Sequence, residues 1–588
     1  MGVPGFFMWL LKKYKSKKFV FTKSQLDIMN EKDKIQNEEI NSIDYLLIDM
    51  NCMIHPECFK TLADAKPNEN MEKLEAKMRN NVILYLEKTI NHLIPKKGIY
   101  IAIDGVAPVA KMKQQRLRRF KSISDKQLYD NIRKKHNKTI PMYWNNSAIT
   151  PGTDFMLLLT NRIKQWMEEY AKIKKLEIIF SPSNIPGEGE HKLLQFIRDN
   201  IKLNKFNSYA IYGLDADLIF LALATNLDSI YLMRESKEMD NKDMSGGFNF
   251  VSIKIMKECI VDTFHKEIIK NDKNELIQSL NNNRLIDDFI FMCYLTGNDF
   301  LPHLPSLNIY NGAIDLLIEK YCKIIIMGHS NIPDSYIVTR IPSPSINMKM
   351  FFDFLSLLAD EEESILKINY NKKQYSPQCI STDPFDIEMH RIDNMKFKVN
   401  DPIMIGMDNM KDWRERYYMH YYKVNPEDID QFTKNMAMDY MKGLKWVTCY
   451  YFDKCPEWDW HYKYNIPPFL LDIKKMTNYS FDNIMFIEGN PMTPFEQLLT
   501  VLPRQSSYLL PVPLRKIMLN NIGSASYLYP LTFELDMIGR KKYWMVQPIL
   551  PEMDIELIRH MFKKYSNKLD CNMRQMNTNM REPLISIV

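Results

Sequence analysis

Seven acidic side chains share one local setting, each lying at or just past the end of an apolar run. Asp49 closes YLLID and Asp104 closes IYIAID. Asp215 and Asp217 follow AIYGL, Glu188 and Glu190 lie in PGEGEHK ahead of a helix-patterned stretch, and Asp299 stands in TGNDFLPHLP after a long apolar segment. If those runs are neighbouring strands of one sheet, the acids converge on one small volume. Two carboxylates ~4 Å apart repel by ~4 kcal/mol even at an effective dielectric of ~20. Divalent cations relieve such crowding, and hard oxygen donors select Mg²⁺ or Mn²⁺. Two ions ~3.5–4 Å apart stabilise both the attacking and the leaving oxygen of a phosphodiester displacement. Any single Asp or Glu before a helix reads first as an N-cap. Seven in one context favour a metal site.

Directly after Asp104 comes GVAPVAKMKQQRLRRFK, where Pro108 suits the first turn of a helix. On that helix Lys111, Gln115, Arg118 and Arg119 fall within an arc of about 100°, since each residue turns ~100°. The face offers an ammonium, an amide and two guanidiniums, which match a terminal phosphate: Arg grips its oxygens bidentately and Lys acts as a point charge. A run of this kind is more often a solvated basic face. Its place next to an acid of the proposed metal site favours the phosphate pocket.

The elements that must hold these groups alternate between strand and helix. Tyr45–Asp49, Gly98–Asp104, Leu176–Ser181 and Tyr209–Leu214 read as strands, with helical stretches such as Asp154–Tyr170 and His191–Asn200 between them. That alternation predicts an α/β fold with a mostly parallel central sheet flanked by helices, whose ligands gather at the carboxyl ends of strands. The Pro/Ser-rich stretch Thr339–Ser345 predicts a boundary, and the sequence turns aromatic- and proline-rich from about Trp413. The expected division is a nuclease-like unit over 1–338, linker or peripheral helices over 339–405, and a second, mixed, aromatic-rich unit over 406–588 packed against the first.

Composition narrows the class. The 588 residues are 45% hydrophobic and 26% charged, with a net charge of +6, which is globular rather than disordered or fibrous. The slight positive balance is compatible with a polyanionic partner. Nine cysteines, odd in number and without a CxxC pair, argue against a zinc knuckle and a disulfide framework, and for reduced thiols inside a cell. No apolar run reaches the ~18 residues of a membrane span, and the Met1–Lys18 segment puts its apolar part before its basic part, the reverse of a secretory signal.

Together these segments resemble the Xrn family of 5′→3′ exoribonucleases. The matching pieces are MGVPGFF, DMNCMIH, AIDGVAPVAKMKQQRLRRF, ITPGTDFM, PGEGEHK, YGLDADLIFLAL, RLIDDFIFMCYLTGNDFLPHLP, GLKWVTCYYFDKCPEWDWHYKYNIPP and PFEQLLTVLP, in the family's order over nearly the whole chain. The resemblance implies a nuclease core like that of the flap-endonuclease and PIN proteins. It implies that Asp49, Asp104, Glu188, Glu190, Asp215, Asp217 and Asp299 bind two Mg²⁺ or Mn²⁺ ions. It implies that Lys111, Gln115, Arg118 and Arg119 hold a 5′-monophosphate, and that His55 and a tryptophan, Trp458 or Trp460, stack on RNA bases.

The implied activity is processive, metal-dependent hydrolysis of single-stranded RNA to 5′-mononucleotides in RNA decay. The implied partners are monophosphorylated RNA and a decapping machinery, with a monomer acting in the cytoplasm; the Lys12–Lys18 cluster leaves the nucleus open. A structure-specific 5′ DNA nuclease lacks the expected Gly-rich helix–hairpin–helix here, and a non-catalytic RNA-binding scaffold would have lost acids that are all present. Gly5 departs from the family's usual Lys in the opening motif. The charged stretch Asp27–Ser42 reads as a surface insertion, and the chain, ending at Val588, reads as a compact member with the family's two N-terminal regions.

Overall fold

Aliphatic and aromatic runs that are buried along their whole length form the inner strands of a parallel sheet, because such strands are covered on both faces. The computed structural model of the protein describes residues 5–15, 19–22, 42–66, 68–235, 247–328, 336–372 and 378–586. Within them β1 (Val20–Thr22), β2 (Tyr45–Asp49), β3 (Gly98–Ala102), β4 (Glu177–Ser181), β5 (Tyr209–Tyr212), β6 (Ile230–Glu235) and β7 (Phe248–Ser252) join a last strand, Leu584–Ser586, in one eight-stranded sheet. The order is β1-β7-β6-β5-β2-β3-β4 followed by Leu584–Ser586. The five inner strands from β6 to β4 run parallel, and the flanking strands are antiparallel.

Alternation of side chains sorts each strand between two cores. Leu46, Ile48, Ile99, Ile101, Ile178, Phe180, Ala210 and Tyr212 enter the layer built with helices Met71–His92 and Asp154–Lys174. Leu47, Tyr100, Ile179, Tyr209 and Ile211 face the opposite layer, which continues without a break into the C-terminal half, through Phe351, Trp413, Trp446 and Phe469. A third cluster joins Val106, Val109 and Met112, at the start of the Val109–Lys135 helix, to Phe495, Leu498, Leu514 and Ile558. The basic helix is thereby clamped between the sheet domain and the C-terminal region.

The sheet is α/β and mostly parallel. The strands predicted to reach Asp104 and Leu214 stop at Ala102 and Tyr212. In the first case the backbone N–H of Asp104 is taken by the Asn51 side chain instead of a neighbouring strand. The Thr339–Ser345 stretch is a turn joining two short antiparallel strands, Val338–Thr339 and Ser345–Ile346. The region beyond it carries the Met348–Asn371 helix, which buries Phe351, Phe354, Leu355 and Leu358 in the shared core. It also carries Pro384–Asp393, tied to the end of the basic helix by Lys135–Glu388 (2.8 Å) and Lys138–Asp383 (2.6 Å). Asp27–Ser42, apart from Ser42, and the Ser16–Lys18 part of the basic cluster lie outside the described residues. Among the described residues no helix is long and apolar enough to cross a membrane.

Strand order places the crevice. From β2 the chain steps to β3 and β4 on one side, then returns to β5 on the other side of β2 and moves on to β6. The connections leaving β2 and β5 diverge, opening a cleft at their carboxyl ends. Two loops there are zipped together: Gly105 N–H donates to Gly187 (2.8 Å) and Gly187 N–H to Val106 (2.8 Å). A Cβ on Gly105 would sit 1.7 Å from the Ile185 carbonyl oxygen, and backbone cannot yield as a side chain would. Gly105→Ala should therefore cost more than ~3 kcal/mol, read as a lowered urea midpoint; an unshifted midpoint would show that the loops tolerate separation.

Candidate active site

Asp49 ends β2 and lies level with Ala102, so Asp104 stands two residues beyond on the neighbouring strand. The loops after β4 and β5 bring Glu188, Glu190, Asp215 and Asp217 to the same end of the sheet. A Cβ on Gly189 would meet Asp49 Oδ1 at 2.8 Å and Asp104 Oδ1 at 3.3 Å. Only a glycine fits between those two carboxylates, and its backbone N–H donates to Asp104 at 2.6 Å. Asn51 donates to the other Asp104 oxygen at 2.7 Å, while Asp49 accepts from the Asn51 backbone N–H and from the Cys52 thiol.

Capping does not account for the acids after β4 and β5. Glu188 occupies the N-cap of the Gly189–Lys202 helix without making a side-chain cap bond. Asp217 opens the Asp217–Ala224 helix, whose N-cap residue is Ala216. The Asp217 side chain is only 2% exposed, and its Oδ1, like Glu190 Oε2, has no hydrogen-bond partner among the described residues. A buried carboxylate oxygen without a partner is costly unless protonated or bound to a cation. Burial first, and then the charges of Asp104 and Asp215, push Asp49 up to about 8. Burial and the nearby Asp299 push Asp217 up to about 7, and burial with Asp217 carries Glu190 well above the carboxylate range.

Lys111 is the local counter-charge. Its ammonium pairs with Glu188 and, at 2.7 Å, with Asp299. Burial pushes the Asp299 carboxyl up, but Lys111 more than offsets that and holds it at about 2. Glu188 also accepts from the Tyr450 hydroxyl at 2.8 Å, and the Tyr450 ring stacks on His191 with centroids 3.7 Å apart. The Ile429–Phe452 helix thus reaches across from the second half of the chain to close the cluster. Among the described residues no three His, Cys, Asp or Glu side chains are drawn together as a ready ligand set. The donor chemistry nevertheless fits a hard divalent cation: all-oxygen, crowded, with Asp49, Glu190 and Asp217 raised toward the protonated state and two oxygens unpartnered.

The four predicted basic-face residues project from one side of the Val109–Lys135 helix. Gln115 is buried, its carbonyl accepting from Gln497 at 3.2 Å. Arg119 donates to the Thr150 hydroxyl at 2.8 Å, while its Nη1 is buried without a partner. Burial and the neighbouring Arg118 charge hold the Arg119 guanidinium down to about 9. Arg118 itself is exposed. A buried guanidinium nitrogen with nothing to donate to, next to a second guanidinium, is a socket for an anion.

His55 is half-buried on the Asn51–Ala63 helix beside this socket. Burial, with Arg118 and Arg119 behind it, holds its ring down to about 4, so it is neutral at physiological pH. Trp460 is 5% exposed and stacked on Trp446, centroids 5.2 Å apart, within the core. Trp458 is half-exposed, and its carbonyl accepts from Val109 N–H at 2.9 Å, at the start of the basic helix. Of the two tryptophans, Trp458 is the one with surface to offer.

Sequence reasoning missed Asn51, Lys192, Thr150, Tyr450 and Gln497. Asn51 and Lys192 lie inside segments already singled out, DMNCMIH and PGEGEHK, and adjacency to the acids was an available signal. Lys192 is buried and donates to the Ile103 carbonyl at 2.7 Å, bracing the strand end before Asp104. Thr150, Tyr450 and Gln497 also lie inside the matching segments ITPGTDFM, GLKWVTCYYFDKCPEWDWHYKYNIPP and PFEQLLTVLP, but no adjacent candidate residue marks them, and Gln497 lies 382 residues from Gln115.

Comparison with known proteins gives the same picture along the chain. The family model described as "XRN 5'-3' exonuclease N-terminus" matches residues 1–236. That described as "Xrn1 helical domain" matches 279–396 and 382–587. The "5'-3' exoribonuclease 2" of Candida albicans is 28% identical over an alignment of 747 positions, gaps included, covering 99% of this chain and 74% of that protein. The "5'-3' exoribonuclease 2 homolog" of Drosophila melanogaster is 29% identical, covering 94% of this chain and 70% of that protein. The human "5'-3' exoribonuclease 1" is 30% identical over 97% of this chain, which corresponds to 35% of the human protein.

The raised carboxyls carry a stability signature. Asp49 and Asp217 keep a proton in the folded state that the unfolded chain releases near pH 4. With divalent cations chelated, their contribution is full below about pH 4 and is lost as pH rises toward about 8. Asp217→Asn should stabilise the metal-free protein at pH 8 by about 0.5–2 kcal/mol, read as a higher melting temperature, and flatten the decline in stability between about pH 4 and 7. A variant no more stable than the parent at pH 8 would mean that Asp217 is not under this strain.

Proposed function

The chain belongs to the Xrn family of 5′→3′ exoribonucleases, and on that premise we propose that it removes 5′-mononucleotides one after another from single-stranded RNA bearing a 5′-monophosphate. The observation that carries the reading is the junction at Lys111. One helix runs from a crowded carboxylate cluster at the sheet's carboxyl edge to a partly unpartnered guanidinium socket. A scissile phosphodiester and a terminal phosphate one nucleotide apart need two such sites side by side.

Asp49, Asp104, Glu188, Glu190, Asp215, Asp217 and Asp299 are the groups that would hold two divalent cations, Mg²⁺ or Mn²⁺. When bound, such ions neutralise the phosphodiester charge and lower the pKa of the attacking water. The chain's own residues do the rest. Gly189 N–H and Asn51 fix the Asp104 carboxylate in place, so the cluster does not reorganise during reaction. Arg118, Arg119, Gln115 and Lys111 receive the terminal phosphate and set the register of the first nucleotide. His55, neutral, and Trp458 offer ring faces on which bases of any sequence stack, each contributing ~1–3 kcal/mol.

An enclosed socket sized for one phosphate would refuse a cap or triphosphate on steric and charge grounds. A decapping reaction, which leaves a monophosphate, is therefore the step that would supply the substrate, in the cytoplasm, with the protein acting as a monomer. After each cleavage the new 5′-phosphate is the group the socket takes, which makes repeated turnover on one RNA the natural outcome.

Digestion of matched RNAs with monophosphate, triphosphate or hydroxyl 5′ ends, with and without Mg²⁺, tests the reading. Asp215→Ala or Asp217→Ala should lower turnover by more than ~10²-fold while RNA is still bound. Arg118→Ala combined with Arg119→Ala should erase the preference for a monophosphate over a hydroxyl end. Undiminished turnover would remove the acids from the reaction, and a surviving preference would move the socket elsewhere.

A further inference from the structure

Gln115 presents an amide to the proposed phosphate socket, and an amide has two unlike ends. Its NH₂ group attracts a phosphate and its carbonyl oxygen repels one, yet the ends are nearly the same shape. Packing alone does not choose between them. The choice is made through a buried relay that starts at a backbone group. Ala107 N–H can only donate, and at 3.2 Å it meets the Gln497 side chain, so the atom facing it is the carbonyl Oε1. The other end of Gln497 is then its NH₂, which donates at 3.2 Å to Gln115. The Gln115 atom receiving that bond is therefore Oε1, and the Gln115 NH₂ is left for the socket.

Gln497 is 1% exposed and stands on the Pro494–Val501 helix, whose start is fixed by a capping box between Thr493 and Glu496. The same helix carries the Phe495 and Leu498 side chains that pack against Val109 and Met112. Gln497 itself has neither a charge nor a surface to offer RNA. We propose that Gln497 is a positioning residue that sets the polarity of the Gln115 amide, and through it the selection of a 5′-monophosphate end. The inference rests on the reading of the Lys111–Arg119 face as the 5′-phosphate socket.

Gln497→Glu tests it, because an ionised carboxylate accepts from both Ala107 N–H and Gln115 NH₂ and so turns the Gln115 carbonyl toward the phosphate. With the full chain and Mg²⁺, KM for monophosphorylated RNA should rise about 10–100-fold, the range for a lost hydrogen bond to a charged group, with a smaller change in kcat. The loss should be at least tenfold greater than that on hydroxyl-ended RNA. Gln497→Met, which removes the relay without reversing it, should give an intermediate loss and serves if the Glu variant does not fold. In a Gln115→Ala background, Gln497→Glu should add no further loss of preference, as coupled residues behave in a double-mutant cycle.

The inference is overturned if Gln115→Ala loses the preference while both Gln497 variants keep it. It is equally overturned if the Gln497 variants slow both RNAs by the same factor, or if their loss adds to that of Gln115→Ala. If Gln115→Ala itself keeps the preference, Gln115 is not part of the socket and the relay is overturned, while the Arg118→Ala/Arg119→Ala variant decides the socket separately.

Discussion

Like charges buried at the ends of neighbouring strands constrain everything around them. Asp49, Glu190 and Asp217 are all pushed toward the protonated state by burial and by neighbouring carboxylates, and such a cluster persists only if the surrounding fold holds it rigidly. Much of the architecture at this edge of the sheet can be understood as that support. The two loops after β3 and β4 are zipped by reciprocal backbone bonds. The one position between Asp49 and Asp104 is a glycine. Asn51, Tyr450 and Lys111 each take up a carboxylate oxygen. A stable scaffold is therefore carrying an unstable site, the usual relation between fold and function.

The Val109–Lys135 helix transmits that constraint to the second half of the chain. Its first N–H is satisfied by the Trp458 carbonyl. Lys113 donates to the carbonyls of Tyr462 and Tyr464 at 2.8 and 2.6 Å, and the fully buried Arg116 donates to those of Thr500 and Leu528. The helix that bears the proposed phosphate-binding groups is thus fastened to three separate C-terminal segments. One of them carries Trp458, so the proposed stacking residue and the basic face are held together by backbone and side-chain bonds. The C-terminal half is thereby packed into the structure around the candidate site.

Reading from sequence worked where information is carried by neighbours along the chain. Short continuous apolar runs that stop at polar turns gave β2, β4 and the parallel sheet, and the carboxyl-end rule placed the acids at one edge of it. The 100° step of a helix put Lys111, Gln115, Arg118 and Arg119 on one face. Strand ends were less legible: past β3 the Ile103 N–H still bonds to Ser181, but the Asp104 N–H is taken by the side chain of Asn51, from another element. The stretch 339–405 reads from sequence as linker or peripheral helices; within it one face of Met348–Asn371 is apolar and enters the core.

What the sequence determined by itself was the kind of chemistry: which residue types stand at strand ends, how a cationic face follows them, and the ordered motifs that name a family. Tertiary structure decided the state of each group. It made Lys111 the counter-ion of Glu188 and Asp299, buried Trp460 against Trp446 while leaving Trp458 half-exposed, and paired Gln497 with Gln115 across 382 residues. Charge state, exposure and amide orientation depend on distances through space and on the dielectric around a group. No local pattern of residues encodes either of these, because both come into being only when distant segments pack together.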